Sequence, residues 1–536
     1  MQSGLRQALR ANPSKKAPTF TMTIPAPVKG WMARESLAEA EEDSAVVLTN
    51  FFPEADVVRA RRGSHEHATG LGASVTSLLR YISASTSKLF AAAGDKIFDV
   101  TAGDPLGAPA LSGMSNAWWQ QVMFATAAGQ FLVMCNGEDG VWTFDGTTWV
   151  DRTAAITTPP GPGSLDASLA VNVTAHKKRL WFVPVASTDL YYLDTEAVEG
   201  TAHKFPVGSL LKRGGYIMAM GTYSVDAGEG MDDLFVAISS EGEVIIYSGT
   251  DPASATLWQL VGVYHVGDPL GRRSLFQAGG DLMMIIEHGV VPISTALKMD
   301  KAVLGEKAAT KNIKQAYVDA VARARLAQGW EICSFPLHNM ALVNVPGTGS
   351  SPIQQFVFNT TTGAWALFEG YNARCWAEYQ GHLHFGTDDG RVMHGEHGAN
   401  DDGAPIILKM LPAFNHLKSP GRIKHVKDYR WHISTDLLDN SFFTAIGADY
   451  VVPTQLGQAG EVGLGVGQWF QWDVTPWDGP AVWYGEQVAA HWTGAANTGS
   501  CLSPYFQKAL DAGPAGGDFR FRIIAADLVY EPGGVL

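Results

Sequence analysis

Residues 382–402, HLHFGTDDGRVMHGEHGANDD, hold the densest run of potential metal ligands in the chain. His382 and His384 lie two apart, so a strand would project both from one face. His394, Glu396 and His397 follow after a turn. Converging imidazoles and carboxylates are what a divalent transition metal requires. However, DDG and NDDG are ordinary turn formers, and glycines flank the second histidine pair. The segment therefore reads as surface and turn histidines with no metal.

Other constellations are equally bland. TFDGTTW (143–149) resembles the Asp-box turn of sialidases but is one residue short, and no arginine cluster or nucleophile accompanies it. It reads as a turn between strands. Trp469, Trp472, Trp477, Trp483 and Trp492 crowd one C-terminal stretch and could stack on sugar rings. Such residues more often fill a β core or a subunit interface. GDPLGRR (267–273) is Gly-rich but lacks phosphate-cradle spacing, and GxSxG, HExxH and P-loop motifs are absent. The sequence predicts no catalytic residue, no metal and no cofactor, hence a structural protein and not an enzyme.

The bulk properties fit that reading. A chain of 536 residues exceeds one hydrophobic core, which predicts two or three domains. Hydrophobic residues make up 46% and charged residues only 17%, which with 58 Gly suits tight turns and large subunit contacts. A net charge of −14 disfavours nucleic-acid binding, since phosphate contacts need clustered Lys and Arg. Cys135, Cys333, Cys375 and Cys501 form no CxxC pair and read as buried thiols of a chain folded in a reducing cytoplasm. The basic, polar N-terminus lacks the apolar run of a signal peptide, and no window is apolar enough to span a membrane, so a soluble protein without an export signal is expected.

The elements that must position these residues are short strands. From residue 76 to 414, apolar runs of four to seven residues alternate with Gly/Asp turns, beginning with SLLRYIS, KLFAAAG and KIFDVTAG and ending with CWAEYQGHLHFG. NGEDGVWTFDG (136–146), SSEGEVIIYSG (239–249) and GTDDGRVMHGE (386–396) repeat one pattern of acidic turn, glycine, strand and glycine. Trp149, Trp258 and Trp365 each follow a polar turn, where a propeller blade needs a large residue to pack against its neighbour. The expected fold is mainly β, a β-propeller of six or seven blades over 76–414. An N-terminal arm and platform segment (1–75) precedes it, and a C-terminal β domain (415–536) completes the platform. One amphipathic helix is inserted within 308–329: Ile313, Ala316, Tyr317, Ala320, Val321, Ala324 and Ala327 recur at helical spacing, with Lys311, Lys314, Arg323 and Arg325 outward. It is expected to stand outside the propeller core. In the C-terminal domain, Tyr429, Trp431 and Ile433, and then Phe519, Phe521 and Ile523, alternate with polar residues as half-buried strands.

Two stretches carry a family resemblance: PAPVKGWMARESLAEAEEDSAVVLTNFFPEADVVRARRGS, and SGTDPASATLWQLVGVYHVGDPLGRRSLFQAGGDLMMIIEHGVVPIS. They resemble the tail nozzle (tail tubular protein B) class of short-tailed bacteriophages. The resemblance covers about the first 300 residues and specifies no catalytic residue. It implies a virion protein, assembled in the host cytoplasm, whose homo-hexameric ring sits below the portal and adaptor. Fibres or spikes dock on the outside, viral DNA transits the channel without specific binding, and the distal tip faces the host envelope. The basic run Arg59, Arg61 and Arg62 is the expected contact with the adaptor. The competing reading is a tail-borne glycan-binding or glycan-cleaving propeller, and a cellular propeller scaffold is a third.

Overall fold

The computed structural model describes residues 18–535, apart from 35, 38–39, 160–163, 227–230, 280, 299–300, 350, 438–440, 454–486, 490–491 and 512–518. Trp469, Trp472, Trp477 and Trp483 fall outside the described residues; Trp492 is described and half exposed.

The alternation read in 76–414 becomes a chain of small antiparallel sheets. Among the described residues there are seven blades: blade 1 (75–112), blade 2 (120–151), blade 3 (170–206), blade 4 (217–265), blade 5 (275–292), blade 6 (331–369) and blade 7 (373–395), the last two continuous with platform strands in one larger sheet. The first strand of each blade abuts the first strand of the next, and Ala373–Tyr379 returns to Val75–Ile82, so the ring closes. The chain is a β-propeller.

Trp149 and Trp258 begin the outermost strands of blades 2 and 4, as their spacing implied. Trp149 meets Phe90 of blade 1 with ring centroids 5.0 Å apart, and Trp258 stacks on Trp181 of blade 3 at 5.5 Å. Each indole thus fills the gap between twisted neighbouring sheets, where aromatic area is most useful. Trp365 occupies the same position in blade 6 but faces the helical insertion, donating its indole N–H to the Ala309 carbonyl.

That insertion departs from expectation. The helix is shorter, Lys314–Ala324, and a 3-10 turn at Ala309–Ile313 precedes it. Its apolar face is the one predicted, but it is not peripheral. Ile313, Tyr317, Ala320 and Ala324 are buried with Trp330, Val343, Phe356 and Trp365 of the blade 6 region, and Val290 of blade 5. The Tyr317 hydroxyl donates to the Ile286 carbonyl at 2.7 Å. Blade 5 shows three strands, and helix and turn pack against its third, Gly289–Pro292, covering apolar surface that a fourth strand would otherwise cover. Tyr317→Ala is expected to cost about 3–5 kcal/mol, as for other large core truncations. Excising 310–328 should abolish the β circular-dichroism signal, not spare it. A folded propeller after excision would restore the peripheral reading.

The platform is a two-layered sandwich built from described segments on both sides of the propeller in sequence. In one sheet the long strands Arg422–Thr435 and Phe521–Val535 pair antiparallel, and Phe20–Pro25 and Val58–Ala60 line the far edge of the latter. The second runs Ala45–Thr49, Ala404–Pro412, Leu502–Leu510 and Phe443–Ala448. Phe506 packs on Trp431 and Phe521, joining the two layers. Tyr429, Trp431, Ile433, Phe519, Phe521 and Ile523 all face this core, as their alternation predicted. Within the expected N-terminal arm, Phe20–Pro25 is an edge strand, each of its residues finding a partner in the C-terminal strand, while residues 1–17 lie outside the described residues. Gly30 then runs against blade 6 so closely that any Cβ would collide with the Trp365 backbone at 2.4 Å, at a φ of +80° that favours glycine.

Candidate functional site

Three constellations concentrate the polar chemistry of this fold. The first lies where platform and propeller meet. Arg61 is fully buried. Its guanidinium forks onto Asp401 (Nη1–Oδ1 2.9 Å), donates to Asn50 Oδ1 at 2.8 Å and to the Glu369 carbonyl at 2.6 Å, and lies 4.2 Å over the Tyr371 ring. The Tyr371 hydroxyl donates back to the Arg62 carbonyl at 2.6 Å. Arg59 pairs with Glu54 and Glu396. Burial alone would raise the Glu396 carboxyl, but Arg59, His338 and Arg61 hold it down at about 2. Of the expected contact run Arg59, Arg61 and Arg62, Arg61 lies just past the strand Val58–Ala60 and its side chain is buried, where it fastens the sandwich to blade 6. Arg59 and Arg62 instead line a shallow basic pocket with Arg520 and Arg522.

The second constellation closes the ring. Blade 7 takes its outermost strand from the N-terminal side of the chain: Ser64–Ala68 pairs with Val392–Gly395. Register puts His384 opposite His394 and His394 opposite His65 across three strands. His67, His382 and His397 flank this row, with neighbouring centroids 4.4–5.3 Å apart. Four of these six lie together in the sequence; HEH at 65–67, alternating as HLH does, is the signal for the other two. Among the described residues no three such side chains are posed to grip one metal ion. Burial lowers His384 and His394 to about 3, and the surrounding imidazoles add to the effect. The His384 Nδ1 is buried without a partner.

The third lies on the propeller axis. The loop from blade 4 to blade 5 carries Arg272 and Arg273 into a cavity of about 410 Å³ lined by the inner strands. Arg273 donates to Ser77 Oγ at 2.6 Å, to the Thr76 and Trp119 carbonyls at 3.1 Å, and to Glu331 at 2.9 Å. Glu331 also accepts from the Trp376 amide at 2.6 Å. One ion pair thereby ties blades 1, 2, 5, 6 and 7 together. GDPLGRR lacks phosphate-cradle spacing, and its position before an innermost strand is the available clue to this role. TFDGTTW is a hairpin turn, as expected, with Asp145 accepting from the Thr147 and Thr148 amides at 2.8 Å. All four cysteines are buried free thiols.

No protein-family model and no curated protein matches this chain. Among solved structures, it is similar to the β-propeller domain of Cps50 (Swd1) from Myceliophteria thermophila, at 12% identity and a TM-score of 0.37, covering 62% of this chain and 98% of that one. Sqt1 from Saccharomyces cerevisiae follows at 10% identity and 0.36, covering 62% and 99%. Raptor from Chaetomium thermophilum gives 10% and 0.37, covering 62% of this chain and 28% of its own. Likenesses this distant carry no functional argument.

Proposed function

We propose that this chain is the nozzle subunit of a short-tailed phage tail, a structural virion protein whose six copies ring the DNA exit channel below portal and adaptor. The observation that carries the reading is the division of labour between the two modules. Phe20–Pro25 and Phe521–Val535 pair within one platform sandwich, and the propeller closes on itself. Arg272 and Arg273 reach into the propeller's own axial cavity, so a conduit for DNA must run between subunits. Head-to-tail contacts between unlike faces of identical subunits close such a ring. A net charge of −14 per chain suits a conduit that passes DNA without holding it. The platform's basic pocket, with Arg59, Arg62, Arg520 and Arg522, is the face offered to the adaptor; fibres or spikes would dock on the propeller.

The glycan-cleaving alternative needs paired carboxylates in a cleft. Glu331 is the one acidic residue among the described residues lining the axial cavity, and it is engaged by Arg273. Asp388, Asp389, Asp401 and Asp402, which line a second cavity of about 490 Å³, are bound by Arg374, Arg391 and Arg61. Among the described residues, neither cavity offers an unengaged carboxylate pair.

Mass photometry and cryo-electron microscopy test the proposal. The isolated protein should be mostly monomeric at low salt, because acidic subunits repel, and should form sixfold rings with portal and adaptor. Peripheral trimers away from the DNA axis, or release of reducing ends from capsule by the pure protein, would favour the glycan alternative.

A further inference from the structure

Arg272 and Arg273 share the axial cavity but not a condition. Arg273 is paired with Glu331 and donates to two carbonyls and a hydroxyl. Arg272 makes one long donation, 3.5 Å to the Met218 carbonyl, and lies 5.8 Å from the Tyr216 ring centroid. Among the described residues no carboxylate pairs with it. Burial pushes its guanidinium below the ordinary arginine value, and no carboxylate offsets the effect. The cavity lining thus holds two arginines against one glutamate, a positive spot inside a chain of net charge −14. A charge withdrawn from water is tolerated when a counter-charge or hydrogen bonds replace its hydration.

The surroundings suit a counter-ion. The cavity, about 410 Å³, exceeds what one small ion and a few waters occupy. Gln121, Thr174, Thr222 and Gln277 make much of its lining polar. A guanidinium presents planar, paired donors that match an oxyanion better than a halide.

We propose that the axial cavity binds a small oxyanion, of the phosphate or carboxylate class, on the Arg272 guanidinium. The site is independent of the nozzle reading: it requires only the closed propeller and the unpaired arginine. A free ion and an acidic group on a partner would engage it through the same chemistry.

Isothermal titration of the full chain with inorganic phosphate, and separately with acetate, at constant ionic strength provides the test. One saturable site per chain is expected for at least one of them, and the stronger binder identifies the class. Arg272→Gln should weaken it by about tenfold or more, the typical worth of a charge-assisted hydrogen bond. Without anion the variant should resist urea as well as the parent does, since it removes a charge that lacks a partner. Gln277→Glu, which brings a carboxylate into the same cavity, should weaken anion binding with Arg272 intact. Absence of saturable heat from both probes, or unchanged affinity in both variants, would overturn the proposal.

Discussion

Between pH 7 and pH 5 the folded chain is expected to lose about 4 kcal/mol of stability through two buried imidazoles, His176 and His384, at about 2 kcal/mol each. These two residues are only 3% and 4% exposed. Burial, with Lys177 beside it, lowers His176 to about 4; Asp233 opposes this without prevailing. Burial, with His67, His382 and His65 around it, lowers His384 to about 3. In the unfolded chain both titrate near 6.5. The unfolded state therefore takes up protons first as the pH falls. The stability is fully present above about 6.5 and drains away on descent toward 3–4. His394 adds a smaller increment, because solvent screens a partly exposed ring. The carboxylates act lower: Glu396, at about 2 in the fold, loses its contribution only below its ordinary 4.5. Urea unfolding followed by tryptophan fluorescence at pH 7, 6 and 5 should show the midpoint falling steadily. His176→Gln with His384→Gln should flatten that slope whatever their effect at pH 7. An equally steep slope in the double variant would sink the assignment. Total stabilities of folded domains are about 5–15 kcal/mol, so such a loss, half of it at the ring-closing blade, is a large one.

The second large effect is expected at the junction of platform and propeller. Arg61→Ala should cost about 3–5 kcal/mol, the usual consequence of removing one partner of a buried ion pair. Asp401 would lose its fork, and Asn50 and the Glu369 carbonyl would each lose a donor. Asp401→Asn keeps the shape and some hydrogen bonding, so it should cost less. Because Arg61 bridges the sandwich to blade 6, limited proteolysis of Arg61→Ala should cut between the modules before either is degraded. A loss below about 1 kcal/mol, as for exposed pairs, would show that the pair is solvated.

The repeating part of this protein is legible in its residues because the forces that shape it are local. A hairpin joins residues close in sequence, and each strand's pleat selects its buried face, so period-two alternation between Gly/Asp turns suffices. The runs from SLLRYIS to CWAEYQ therefore correspond to blades 1 to 7, Trp149 and Trp258 fall in the inter-blade seams, and Trp431 and Phe521 face the sandwich core. The helical face of Ile313, Tyr317 and Ala320 is equally legible, but not what it covers. Contacts between distant segments emerge only in the folded chain. Ser64–Ala68 pairs with a strand more than 300 residues away, and that pairing alone brings His65 and His67 to His384 and His394. Arg61 reads as a surface cation until Asp401 and Tyr371 enclose it. Arg272 and Arg273, adjacent in the chain, differ because Glu331 lies within reach of one guanidinium and pairs with it alone. Side-chain periodicity can indicate which face is buried. Which charge meets which is settled only when blades far apart in sequence converge on one axis.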